Sequence, residues 1–491
     1  MASHITWWCV ATLVLVSIAI AQPPAVTQQH PSDEPSLGEL SAGIARGSQV
    51  ALSWSAANAA RFEIYATPTI AGGPVGTPIE TLEGDARQAL VPIPDRARQV
   101  LHVCAVGTTV DAKACAAVRL TNVVTRDDDY DPYGLGDWQP EPSLEGTLRA
   151  VIASADRGST IGFAADVRQV DLYGVAMVYV NPVDPDAIRP GEGWQDGHLI
   201  IDRDLVISGR PNDPVILLAR SGCDACGDAE AFTFRSRVLR VLERVSAELE
   251  YLELAGGGFV FDGAGIRNDG TLTLREVTIR DNRAWYEGGG IYNGRRGILT
   301  LVDTVVRDNT AAVFDDEVGA TLRIRGGDAT IEVEDGGFGG GLFNAADGSV
   351  TVRGGSIERN QAKISGGGAY NLGGMTISGA AVEGNVADHT WFEPAGAPLS
   401  LGGGIYSSGT LTMSSASVVA NFARDAGGGL MLWPGATTTL EGVVVQQNTA
   451  NVGGGIRYEH LAGEADALVT TALALEDNEG GDLSVQERAA P

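Results

Sequence analysis

The second half of the chain is written in short alternations of apolar and polar residues. Thr271-Leu272-Thr273-Leu274 is followed by Val277-Thr278-Ile279, and similar runs recur to the end. Alternation of this length is the signal of a half-buried β-strand. An Asn closes each run, three positions after an apolar residue: Ile279 to Asn282, Val306 to Asn309, Ile357 to Asn360, Val382 to Asn385, Val418 to Asn421, Val445 to Asn448 and Leu475 to Asn478. A Gly triplet then opens the next unit, as in Gly288-Gly289-Gly290-Ile291-Tyr292-Asn293 and Gly366-Gly367-Gly368-Ala369-Tyr370-Asn371. The last Gly falls at 290, 341, 368, 404, 429 and 455, so the shortest steps are 27, 25 and 26 residues. A fixed period of this size predicts a solenoid. Three short strands per unit, parted by Gly and Asn, predict one coil of a parallel β-helix over residues 166–480. No window has a 3.6-residue period, and Gly disfavours helix interiors.

The landmarks have a structural reading. Gly permits positive φ and close backbone approach at a corner. Asn is expected in the left-handed region, bonding neighbouring backbone from inside a turn. Stacked coils would place Asn282, Asn309, Asn360, Asn385, Asn421, Asn448 and Asn478 above one another as a ladder. A feature shared by all coils declares architecture and not chemistry.

The N-terminal region is patterned differently. Trp7 to Ala21 is apolar and ends Ala19-Ile20-Ala21, which predicts a signal peptide over 1–21 and an exported protein. Residues 22–38, rich in Gln, Pro and Ser, read as a linker. Residues 39–123 hold about seven short alternating runs, among them Val50-Ala51-Leu52-Ser53-Trp54, and their pattern resembles a small immunoglobulin- or fibronectin-like sandwich. Over 126–165 an acidic stretch precedes an amphipathic segment with Leu144, Leu148, Val151, Ile152 and Ala155 on one helical face, stopped at Gly158. A short helix in front of a solenoid is expected to cap its exposed core. Residues 481–491 read as a tail.

Composition adjusts this picture. Gly is 65 of 491 residues, well above the usual ~7%. A net charge of −28 excludes binding to the nucleic-acid backbone and docking on anionic lipid. It fits a solvated surface, or uptake of a divalent cation. No stretch after the signal approaches the length of a membrane-spanning helix, so a soluble monomer is expected. Beyond Cys9 four cysteines remain, and export suggests the pairs Cys104–Cys115 and Cys223–Cys226.

The segment Leu144 to Phe163 resembles the Ser-Leu-Arg-Glu-Ala-type capping segment of exported bacterial β-helix proteins, with Gly146-Thr147-Leu148-Arg149-Ala150 standing where the usual phrase runs. The Gly-Gly-Gly-Ile and Ile-x-x-Asn landmarks are similar to repeats of polymorphic outer-membrane-type proteins. The resemblance implies an all-β chain: a right-handed parallel β-helix of pectin-lyase-like shape, on or outside the cell, often an adhesin.

Two sets of residues invite chemistry. Asp127, Asp129 and Asp131 offer carboxylates at alternate positions, but Pro132 and Trp138 stand where an EF-hand needs Gly and Glu. An irregular calcium site and a solvated acidic linker are the two readings. The longest departures from the repeat all fall between the Asn and the next Gly triplet, a pattern expected of functional loops on one face. They carry Trp285 and Tyr286; Phe314, Asp315 and Asp316; and Asp388, His389, Trp391, Phe392 and Glu393. The aromatic residues could stack on sugar rings. Asp315, Asp316, Asp388 and Glu393 could perform glycoside hydrolysis, or hold calcium for a polysaccharide lyase. Arg280 and Arg307 read as surface ladder residues. The expectation is an adhesin or recognition surface for carbohydrate or another cell surface; the alternatives are such an enzyme and an inert scaffold.

Overall fold

The computed structural model describes residues 34–488 except 72, 75, 109–111, 131–144, 174–197, 221–236, 312–322, 325–326, 329–335, 390–398 and 463–466. The signal segment, most of the linker, Asp131 and the Cys223–Cys226 pair lie outside the described residues. The chain forms two compact units, residues 1–125 with 153–167, and 126–152 with 168–491.

The first unit is a small β-sandwich. Strands Ser36–Ala45, Gln49–Ala57 and Gln88–Pro92 make one antiparallel sheet. Strands Glu80–Glu83, Arg61–Thr67, Val100–Val106 and Lys113–Arg119 make the other. The first strand begins at Ser36, inside the stretch read as linker. Alternation puts Val50, Leu52 and Trp54 inward, where the Trp54 ring meets Phe62 at 5.2 Å. Cys104 and Cys115 face each other across paired strands and form the expected disulfide. Residues 159–163 also belong here: the Phe163 N–H donates to Ser48 Oγ, and Arg96 pairs with Asp166 at 2.8 Å.

The amphipathic helix is shorter than its pattern, Leu148–Ser154, with Leu148, Val151 and Ile152 buried. Thr147 supplies its N-cap, accepting the Ala150 N–H at 3.2 Å. Leu144 lies outside the described residues.

The second unit is a right-handed parallel β-helix. In one coil Thr271–Arg275, Thr278–Arg280, Arg283–Glu287 and Ile291–Asn293 each pair in parallel with the same strands of the coils before and after, with register shifts only where Arg283–Glu287 meets Gly258–Asp262. Inward positions Leu272, Leu274, Ile279, Ala284 and Ile291 are fully buried. The coil therefore has four ladders and not the three expected. The fourth follows the Asn and is mostly two residues long, as in Thr310–Ala311, Gln361–Ala362 and Val386–Ala387. A strand that short has no alternation to read. Residues 483–488, assigned from sequence to a tail, form a strand on Ile456–Leu461.

The three glycines of a triplet serve different ends. Gly288 has φ +62°, open to Gly at little cost. A Cβ on Gly289 would sit 2.4 Å from the Thr310 carbonyl oxygen, and one on Gly290 would sit 2.9 Å from Asn309 Nδ2. The second and third glycines thus give room to the neighbouring coil and to the ladder Asn.

The Asn ladder is continuous from Asn282 to Asn478. Asn360 Oδ1 accepts both the Asn309 N–H at 3.1 Å and its Nδ2 at 3.0 Å, while Asn360 Nδ2 donates to Val306 O and to Asn385 Oδ1. At the last coil Asp482 Oδ1 takes the place of the next Asn, accepting Asn478 Nδ2 at 2.8 Å. One expectation is corrected here: the left-handed residue is the one before the Asn. Asp281, Asp308, Arg359, Ala420, Gln447 and Asp477 have φ between 52° and 57°. The Asn side chain points inward to bond the next coil, so its predecessor makes the corner. A second ladder runs Asn268, Asn293, Asn344, Asn371 and Ser407, with side-chain bonds of 2.8 to 3.0 Å.

Candidate functional site

Each interval between the short fourth strand and the Gly triplet ends at one corner. Glu287, Phe338, Ser365, Leu401, Ala426 and Val452 form a row of parallel bridges there, one per coil. This register puts the described flanks of the inserted segments at the same edge of the solenoid. Phe314, Asp315, Asp316, Trp391, Phe392 and Glu393 lie outside the described residues.

The described candidates divide into two groups, separated along the fourth ladder by the strands at 310–311 and 361–362. In the later group Asp388 lies 3.7 Å from the Arg424 guanidinium. His389 Nδ1 is 2.7 Å from Ser400 Oγ and 3.6 Å from Asp425. Ser, His and Asp meet here, yet no nucleophilic triad results. One ring nitrogen faces both partners, whereas a triad uses the two nitrogens separately. Ser400 is also fully buried, and its N–H donates to Asp425 at 2.7 Å. This group fastens the base of a loop.

The earlier group is built on Gly258–Asp262, Ile266–Asn268, Arg283–Glu287 and Ile291–Asn293. The inward positions of the fourth ladder are small: Val260, Ala284, Ala311, Ala362, Ala387 and Ala423. Outside them stand Phe261, Trp285 and Tyr286. Tyr286 stacks on Phe261 at 5.4 Å, and Trp285 meets the same ring edge-on at 5.4 Å. Trp285 and Tyr286 remain part-exposed. The chain returning from the insertion after residue 311 closes against Tyr286, whose carbonyl accepts the N–H groups of Gly337 and Phe338 at 2.8 Å.

Beside the rings lies a charged group that the sequence reading passed over. Asp262 and Glu287 are register partners on adjacent coils, so their backbones are about 4.8 Å apart. Both Asp262 oxygens are engaged, one by Arg237 at 3.0 Å and the other by Arg267 at 2.6 Å. Arg237 is buried and also donates to the Gly263 carbonyl at 2.9 Å. Arg267 reaches Asp269 at 2.9 Å and lies 5.1 Å over the Tyr292 ring. Burial, reinforced by the Asp262 charge and opposed by Arg267, pushes the Glu287 carboxyl up from 4.5 to about 7. The two carboxylates therefore sit in unlike settings: one clamped by arginines, one able to gain or lose a proton near neutrality. Neither acid was legible as a pair, because 25 residues of sequence separate them and only the coil register joins them.

A further row of rings runs along the outer face of the adjoining sheet. Tyr292, Phe343, Tyr370 and Tyr406 stack at 5.4, 5.3 and 4.4 Å, with planes within 4°. Their faces are spent on one another, and Phe343 and Tyr406 are buried, so this row stabilises the sheet and offers no open face to a sugar. Arg280 and Arg307 are likewise engaged, Arg280 with Glu253 and Asp281, Arg307 with Asp308.

For calcium, Asp127 is exposed and Asp129 lies in strand Asp128–Tyr130, paired with residues 171–173 and not in a loop. Among the described residues no group of three or more His, Cys, Asp or Glu could hold a metal. No described helix is long and apolar enough to cross a membrane. Comparison of the chain with protein-family models, with curated proteins and with solved structures finds no match in any of them.

Proposed function

We propose that this is an exported, cell-surface or secreted β-helix whose solenoid recognises carbohydrate, with the ligand seated on Trp285 and Tyr286. One observation carries the reading. In a ladder whose inward positions are nearly all Ala, two adjacent coils place large rings outward, Phe261 on one and the part-exposed Trp285 and Tyr286 on the next. Aromatic faces beside polar groups are the common means of holding sugar rings, since the ring's C–H face is apolar and its hydroxyls are not. A parallel β-helix, with its extended outer faces, is compatible with such a role.

A second reading, cleavage of the bound glycan, is favoured by the unlike settings of Glu287 and Asp262, because an acid near neutrality beside a fixed carboxylate suits glycosidic chemistry. Against it, Asp262 has both oxygens committed to arginine and offers little to a sugar carbon or a water.

Incubating the full chain with immobilised neutral and acidic polysaccharides, with and without calcium, separates the readings. Retention without release of reducing sugar or unsaturated ends, and its loss on Trp285→Ala, is the expected result. Turnover abolished by Glu287→Gln would establish the enzyme instead. Failure to retain any glycan would leave an inert scaffold or a protein adhesin.

A further inference from the structure

A different sheet of the solenoid carries a second pattern on its outward positions. Strands Thr271–Arg275, Ile298–Val302, Ser349–Arg353, Gly374–Ser378, Thr410–Ser414 and Thr437–Glu441 lie side by side in it. They pair in parallel without a register shift. Thr273, Thr300, Thr351, Thr376, Thr412 and Thr439 therefore stand in one row, one per coil. Two residues earlier a second row reads Thr271, Ile298, Ser349, Gly374, Thr410 and Thr437. Every member of both rows is exposed or part-exposed, while the positions between them, Leu272 to Thr438, are buried. Among the described residues, none of the hydroxyls of the first row is paired within the protein.

Two properties set this face apart from ordinary solvated surface. Neither row holds a charge, in a chain of net charge −28. On the adjoining sheet, four of the same coils present Arg280, Arg307, Glu358 and Glu383 outward in one row. A face kept only for solubility takes charges, as that row does. Strand propensity favours Thr, but it favours Val, Ile and Tyr as well, so it does not repeat one residue through six coils. The second property is spacing. Thr is stiff at χ1, so hydroxyl and methyl recur about 4.8 Å apart from coil to coil, and about 6.6 Å apart along each strand between the rows. These two perpendicular repeats lie close to the oxygen repeats along the two principal axes of hexagonal ice. Methyl groups at that spacing order the water between them, and hydroxyls tie it to the protein. Contacts held in one rigid frame add together without a fresh ordering cost for each.

We propose that this threonine face binds ice, with crystalline water as its ligand. The site lies on another sheet from Trp285 and Tyr286 and is independent of the carbohydrate reading. Thermal hysteresis and inhibition of ice recrystallisation, measured on the full chain, test it. The unaltered chain is expected to show hysteresis with faceted crystals. Thr351→Lys, at the middle of the row, should lose most of it while the protein keeps its melting temperature. Glu383→Lys on the adjoining sheet and Trp285→Ala should retain it. Thr376 is more exposed, so Thr376→Lys serves if Thr351→Lys does not fold. No hysteresis from the unaltered chain, undiminished hysteresis in a folded lysine variant, or equal loss on Glu383→Lys would overturn the assignment.

Discussion

Two corners of the same coil behave in opposite ways. At the Asn corner each turn repeats the last: a left-handed residue, a buried Asn, and side-chain bonds near 3 Å to the coil on either side. At the corner ahead of the Gly triplet, successive coils differ in length and in chemistry, from Trp285-Tyr286-Glu287 to the Asp388–Ser400 loop. Backbone pairing continues through both. The difference teaches that the Asn corner holds the stack together, which leaves the other corner free to vary. Insertions are cheap at an exposed corner whose two ends are already fixed by the ladder.

The sharpest way to break this comparison is at its rigid side. Asn360→Ala should cost about 4 kcal/mol, because it strands the Asn309 N–H and the Val306 carbonyl in the interior. A melting temperature unchanged by more than a degree or two would show that the ladder is ornamental. Gly340→Ala follows, since its Cβ would lie 2.2 Å from the Gln361 carbonyl oxygen; we expect a loss of about 3 kcal/mol, read from the denaturant midpoint.

The variable corner gives a prediction with a sign. The Glu287 carboxyl lies at about 7 in the folded chain against 4.5 unfolded. The folded state therefore holds the extra proton between those values, and stability falls as pH rises from 4.5 to 7. Below 4.5 the penalty is absent; above 7 it is complete, at most about 3 kcal/mol. Glu287→Gln should leave the melting temperature alone at pH 4 and raise it at pH 8. Equal shifts at both pH values would show that packing, not charge, sets the penalty.

The smallest effect returns to the Asn corner. Ala420 holds φ +54° where Gly384 sits one coil earlier. Ala420→Gly should gain up to about 1 kcal/mol by relieving the left-handed cost, checked by thermal melting. A loss would mean that the entropy of the added Gly outweighs that relief.

Much of the fold could be read from the chain because the stack repeats. Ile279 and Asn282, Val306 and Asn309 carry the same instruction each time, so noise in one coil is corrected by the next. The fourth ladder escaped notice since Thr310–Ala311 is too short to alternate, and the second ladder since Asn293 and Asn371 were read only as the ends of a triplet phrase. The site was half legible. Trp285 and Tyr286 stood out as departures from the repeat, whereas Asp262, Arg237 and Arg267 are ordinary residues in their own coils.

The sequence by itself determined the period, the solenoid, the inward apolar rows and the need for Gly triplets, which follow from local spacing and from steric limits on one coil, and the Cys104–Cys115 pair, which follows from the cysteine count and the short separation of the two residues. Only the tertiary structure decided that Asp262 meets Glu287, that two arginines clamp the first and burial lifts the second, and that the Tyr292–Tyr406 rings stack face to face. Those contacts join residues in different coils. Their register is set by backbone pairing, and the shift in Glu287 comes from the loss of water around it, which no single stretch of chain records.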